Sequence, residues 1–239
     1  GLQKELASSL ALETTYYGST GNKLVDSIPI NNPDPGPSAT TDARRPYQPW
    51  GGISNIANVG RSYYNSLQVR LDKRMANGVS GLISYTWGKS IDTGVGTATG
   101  GDGDSGTQNP KDYYGSRGLS TFDVRHRFVG SYTIEVPLGQ GHRFLNNASN
   151  VVDAILGGWQ LSGIVTLQTG SPFSPTTADV TGGAVGTQRA NLLRDWHVDN
   201  PTPDRWYDRT AFCGTTACGL TSFGNAGRNS LTGPPVKKS

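Results

Sequence analysis

Polar and apolar residues alternate with period two over five stretches of the chain, each bounded by Gly, Pro or Asn. The clearest, 62–74, sets Leu67, Val69 and Leu71 on one face and Ser66, Gln68, Arg70 and Asp72 on the other. After the turn Ala76-Asn77-Gly78, the stretch 79–90 puts Val79, Ile83, Tyr85 and Trp87 opposite Ser80, Ser84, Thr86 and Ser90, with Leu82 as an exception. An Asn-Gly pair suits the positive φ of a tight hairpin, so these two stretches are predicted to pair. A third strand over 124–137 carries Phe128, Tyr132, Ile134 and Val136 against Ser131, Thr133 and Glu135. A fourth over 158–169 carries Trp159, Leu161, Val165 and Leu167 against Gln160, Ser162, Thr166 and Gln168, with Ile164 out of pattern. The fifth stretch, 10–17, alternates less cleanly.

The connections alternate in length. The first hairpin closes in a few residues, whereas a Gly/Asp-rich insertion occupies 93–120 and a longer segment follows the fourth strand. Short turns on one side of a sheet and long loops on the other is the arrangement of outer-membrane barrels. The link 139–157 departs from it and contains an amphipathic run, 151–156, which predicts one helical turn on the short-turn side.

Composition agrees with an all-β chain. The 239 residues include 33 Gly and 14 Pro, with polar stretches rich in turn formers. A mean hydropathy of -0.45 leaves no run of about 20 apolar residues for a spanning helix. It is compatible with a membrane barrel, in which only alternate residues meet lipid. The predicted strands are also long enough to cross a bilayer, and Tyr63, Tyr64, Tyr85, Trp87, Phe128, Tyr132 and Trp159 lie near strand ends, where amphipathic rings suit the water-lipid boundary. By pattern alone the same alternation fits the core of a soluble sandwich. Net charge is +3, dispersed apart from pairs such as Arg44-Arg45 and Lys237-Lys238, which gives nucleic-acid binding little support. Cys213 and Cys218, five apart, are spaced for a small disulfide loop in an oxidising compartment or stand as two free thiols. Residues 1–12 lack the basic and apolar regions of a signal peptide, so an exported chain is expected to be mature or truncated here.

Several motifs, in order, resemble the barrel portion of Oar-like TonB-dependent receptors of the acidobacterial type. They are Tyr64-Asn65-Ser66-Leu67-Gln68-Val69-Arg70-Leu71-Asp72-Lys73-Arg74, then Ser84-Tyr85-Thr86-Trp87-Gly88-Lys89-Ser90-Ile91-Asp92, then Arg117-Gly118-Leu119-Ser120 leading to Phe122-Asp123-Val124-Arg125-His126-Arg127-Phe128. Gly157-Gly158-Trp159-Gln160-Leu161-Ser162-Gly163, Thr169-Gly170-Ser171-Pro172-Phe173 and Phe223-Gly224-Asn225-Ala226-Gly227-Arg228-Asn229-Ser230-Leu231 follow. The resemblance spans residues 10–234. It implies an all-β, antiparallel, curved partial transmembrane β-barrel sheet with long extracellular loops, located in the cell outer membrane. It implies uptake of a bulky nutrient, a glycan fragment or metal chelate, with the TonB complex engaged through an N-terminal part. The chain shows neither the family's plug domain nor its closing strands, so residues 1–239 are expected to form one fragment of the barrel domain.

The expected partners are therefore outer-membrane lipid, the TonB complex and an unidentified nutrient, with no nucleic acid. The side chains expected to face lipid are Leu67, Val69, Leu71, Ile83, Tyr85, Trp87, Tyr132, Ile134, Val136, Trp159, Leu161, Val165 and Leu167. Asp102 and Asp104 cluster as in a calcium loop, but the ligand spacing fails and a solvated loop is favoured. His126, beside Arg125 and Arg127, is expected to be structural, and His142 and His197 lie in no metal or catalytic motif. Trp196, Trp206 and Tyr207 could stack on a flat ligand, although loop packing is the favoured role. A hydrolase working through Asp102 or Asp123 lacks paired acid/base spacing, so no enzymatic activity and no cofactor are expected. The competing expectation is a secreted β-rich adhesion or carbohydrate-binding module, in which the oily faces pack on a second sheet.

Overall fold

The computed structural model describes residues 1–36, 40–94, 107–147, 149–183 and 188–238. Its framework is one antiparallel sheet of long strands: β1 (Leu2–Ala7), β2 (Leu10–Pro29), β3 (Ser54–Ala76), β4 (Val79–Asp92), β5 (Gly118–Leu119), β6 (His126–Glu135) and β7 (Gln160–Gln168). The order across it is β1-β2-β3-β4-β6-β7, with β5 paired to the far end of β4 and a late strand, Val236–Lys238, added beside β7. Neighbours in space are neighbours in sequence, as in an up-and-down barrel wall. The sheet is open: no closure joins its two edges among the described residues.

The predicted strands are present, with different limits. The third and fourth are shorter, at His126–Glu135 and Gln160–Gln168. The first and fifth are much longer: β3 begins at Ser54, and β2 runs to Pro29 instead of stopping near residue 17. The alternation does not predict β1, which pairs with the start of β2 across the two-residue turn Ser8-Ser9. The hairpin between β3 and β4 has Ala76 opposite Val79, and its central residues have φ of 54° at Asn77 and 75° at Gly78. Two consecutive positive φ values match the turn whose twist follows that of the strands.

Both hairpins and the β6-β7 link lie at one end of the sheet. That link carries α1 (Asn150–Leu156), the helical turn expected from the 151–156 run. The long links between β2 and β3, between β4 and β6, and after β7 lie at the opposite end, which in an outer-membrane barrel faces outside the cell. The last link contains six two-residue strands, β8 (Pro172–Phe173), β9 (Thr176–Thr177), β10 (Gln188–Arg189), β11 (Asn191–Leu192), β12 (Phe212–Cys213) and β13 (Leu231–Thr232), before β14 (Val236–Lys238). They pair as β8 with β13, β9 with β10 and β11 with β12.

The buried apolar residues Tyr113, Ala190, Ala211, Leu220, Ala226 and Leu231 all lie in the long links. The compact interior is therefore a cap at the long-link end, and the sheet has no second layer over its apolar face among the described residues. A sandwich would bury that face.

Gly78→Val places a β-branched side chain at φ 75°. It is expected to cost about 1–2 kcal/mol, read as a lower urea midpoint for the intact barrel refolded into vesicles, while Asn77→Gly stays close to the parent.

Candidate functional site

The register turns the alternating faces into rows. One row joins Lys4, Leu12, Leu71, Ile83, Gly130 and Val165, and the next joins Leu2, Thr14, Val69, Tyr85, Phe128 and Leu167. Above them lies Tyr16, Leu67, Trp87 and His126; towards the short turns lie the Tyr132 row and then Val79, Ile134 and Leu161. All thirteen side chains expected to face lipid fall on this face, and none is buried. Val136 and Trp159 lie just outside β6 and β7. The Val136 N–H donates to the Trp159 carbonyl at 2.8 Å, so the pair extends the ladder by one same-face row beyond Ile134 and Leu161.

The two ends of this face carry the aromatic residues that an interface requires. Trp87, 51% exposed, sits opposite His126, and Trp159, 63% exposed, sits opposite Val136. From residue 126 to residue 136 is roughly 33 Å along a strand at about 3.3 Å per residue. At a strand tilt of about 40°, this rises about 25 Å, the height of a barrel's apolar band. The His126 Nδ1 lies 2.7 Å from the Tyr85 hydroxyl, giving that polar tip a partner at the outer rim.

The opposite face is polar and charged. Its rows include Gln3, Glu13, Arg70, Ser84, Val129 and Thr166, and then Glu5, Ala11, Asp72, Leu82, Ser131 and Ile164. Leu82 and Ile164, the two departures from alternation, thus flank Ser131 in a single row. Arg70 pairs with Asp72 at 3.1 Å and Arg74 with Glu5 at 3.2 Å. These four line a concavity of about 630 Å³ near the first hairpin.

The cap is fastened by side chains that satisfy backbone groups across links, which buried amides require. Asn31, fully buried, donates to the carbonyls of Tyr47, Trp50 and Gly51 and accepts from the Tyr47 N–H at 2.7 Å, closing the β2-β3 link on itself. Gln108 donates to the Gly224 carbonyl at 2.7 Å and accepts from the Arg189 N–H at 2.9 Å, joining the second link to the third. Asn229 donates to the Leu119 carbonyl at 2.7 Å. The Gly36 N–H donates to the Thr181 carbonyl at 2.8 Å, and Lys111 pairs with Asp34 at 2.6 Å. Gly118 must be glycine, because a Cβ there would collide with the Arg228 carbonyl.

Three polar clusters tie the cap to the rim. Arg228 and Asp92 form a buried pair at 2.7 Å at the end of β4. The Tyr113 hydroxyl donates to Asp26 at 2.6 Å, and burial first, with the Asp26 bond next, pushes the phenol well above its ordinary range. Asp123 accepts from the Ser90 N–H at 2.5 Å; burial raises its carboxyl against the pull of that bond and of Arg125 and Lys89. Asp123 is thus a structural pin. Sequence reasoning missed Asn31, Gln108, Asp92, Arg228 and Asn229 as fasteners, although Asp92, Arg228 and Asn229 stand inside the quoted motifs.

The flat side chains of the third link are largely engaged. Trp206 donates from Nε1 to the Thr232 carbonyl at 2.6 Å, and Tyr207 packs between Phe173 and Phe212. Trp196 stacks on His197 with ring centroids 3.9 Å apart, and the His197 Nδ1 lies 2.5 Å from Asp195. The His197 backbone N–H, and then its ring, hold the Asp195 carboxyl below the usual range. His142 stands exposed in the β6-β7 link. Asp102 and Asp104 lie outside the described residues. Cys213 and Cys218 are bonded, with Cα atoms 6.3 Å apart, within the span of a disulfide. Among the described residues no group of three or more His, Cys, Asp or Glu could hold a metal ion.

Val69→Arg is expected to cost roughly 2–4 kcal/mol in the assembled barrel, whereas Gln68→Arg is mild, as read by equilibrium folding into vesicles. Equal tolerance of both would overturn the assignment of this face to lipid. Asp92→Asn removes the carboxylate opposite the buried Arg228 guanidinium, with an expected cost of about 3 kcal/mol, measured as faster native-state proteolysis within the links.

No helix is long and apolar enough to cross a membrane, a criterion that does not bear on strands. No curated protein and no solved structure matches the chain. The family model described as "outer membrane beta barrel domain" matches residues 1–239, the whole sequence. Long antiparallel strands with one mainly apolar face and aromatic ends fit such a family, and the chain belongs to the outer membrane beta barrel domain family and to the outer membrane.

Proposed function

We propose that this chain is part of the barrel domain of an Oar-like TonB-dependent receptor, which takes up a bulky nutrient such as a glycan fragment or metal chelate and is not an enzyme. The observation that carries the reading is where the quoted motifs meet. Leu119, Asp123, Arg228 and Asn229, from motifs far apart in sequence, are among the residues that fasten the long links to the rim of β4. A resemblance concentrated at the junction of wall and cap suits a protein whose outer loops must be held in place to receive a ligand. The polar face supplies a hydrophilic wall, and the exposed His197 ring, stacked on the half-buried Trp196, gives the cap a flat surface for a sugar ring or chelate. The TonB complex would engage an N-terminal part of the receptor.

In this reading residues 1–239 are one segment of the wall. The edges of an open sheet carry unpaired ladder groups that hydrocarbon does not solvate, so further strands complete the barrel in lipid.

Cells carrying the intact receptor are expected to accumulate a labelled oligosaccharide or metal chelate from a screened panel only while the proton gradient is maintained. Import that persists after the gradient is collapsed would point to a passive pore.

A further inference from the structure

The β6-β7 link holds an apolar surface that the barrel wall does not use. In α1, Asn150 and Asp153 lie one turn apart and are both tied to the preceding turn. The Gln140 N–H donates to Asp153 at 2.6 Å, and the Gln140 side chain donates to Asn150 at 3.0 Å. This fixes the rotation of the helix. Val151 with Ile155 and Val152 with Leu156 are the i,i+4 pairs left on its other side. They are 70%, 63%, 37% and 40% exposed, respectively.

The position of the helix identifies what covers this surface. The Trp159 Nε1 donates to the Ile155 carbonyl at 2.8 Å, so the last turn of α1 is bonded to a side chain of the lipid-facing band. Trp159 occupies the final row of that band on the short-turn side. The apolar side of α1 therefore continues an interface that the barrel already makes with the membrane. At the same end Arg143 stands over the Phe144 ring at 5.6 Å, a cation beside an exposed aromatic ring, as suits a headgroup layer.

We infer that α1 lies in the surface of the phospholipid leaflet on the periplasmic side, with Val151, Val152, Ile155 and Leu156 among the acyl chains. A helix this short buries too little to bind a membrane alone; the covalent wall holds it at the right depth. Its role is to fix the height of the barrel at the only connection on the short-turn side that is not a tight hairpin among the described residues. The inference rests on the outer-membrane setting and is independent of the receptor reading.

The test uses the intact receptor in phosphatidylethanolamine and phosphatidylglycerol vesicles, without reductant, so that Cys213 and Cys218 stay bonded. Single Val151→Cys and Ile155→Cys variants are spin-labelled, and collisions with oxygen and with a water-soluble nickel chelate are measured. Leu161→Cys serves as the lipid reference and Asp204→Cys as the aqueous one. Labels at 151 and 155 are expected to collide preferentially with oxygen, as at 161, with a ratio several-fold above that at 204. A nickel-dominated signal at both positions would place the helix in water and overturn the inference. Low collision with both reagents would mean that protein covers the surface and would overturn it equally. An aqueous signal at 161 itself would instead overturn the facing of the wall.

Discussion

Every amide in a membrane must find its partner within the protein, because hydrocarbon offers none. For this chain that constraint selects long antiparallel strands joined in sequence order, and with them a side-chain period of two. One face can then be mainly apolar, interrupted by Lys4 and Lys73, while the other carries Glu13, Arg70 and Asp72. The same ladder that satisfies the backbone thus sorts the side chains, and the mainly apolar band from Trp87 to Trp159 follows from it.

The cap obeys a different rule. Its links have no ladder of any length, so their carbonyls and N–H groups are met one at a time by Asn31, Gln108 and Asn229. Burial there is mostly polar: Gln188, Thr93, Thr181, Ser116 and Ser120 are among its most enclosed side chains. Such an interior draws its definition from hydrogen bonds whose loss leaves a buried group unmet, more than from apolar area.

This division explains what was legible in the sequence. Within the bilayer, alternation is enforced, so the pairing of β3 with β4 and the outward faces of β6 and β7 could be read directly. Above the lipid both faces of β2 meet water, and Gly18-Ser19-Thr20-Gly21-Asn22 loses its period although the strand continues. β1 is short and charged, and Lys4 interrupts the face that Leu2 and Leu6 share, so no alternation registers. Leu82 and Ile164 break the alternation of their own strands, yet across the sheet they belong to one row. The cap was illegible because a single amide that closes a loop has no period, and only the ordered motifs marked where such residues stand.

The fastening of the links also governs how the outer surface can change over time. The pins lie at 26–36, 90–93, 108–123, 181–192 and 224–231, whereas the stretch from Asp195 to Arg205 is held mainly by its own neighbours, such as His197 with Asp195 and Arg205 with Thr202. Substitutions can accumulate there without loosening the attachment of the cap to the wall. A lineage could thus reshape the outer surface by rewriting that segment alone, with the membrane-embedded architecture inherited intact.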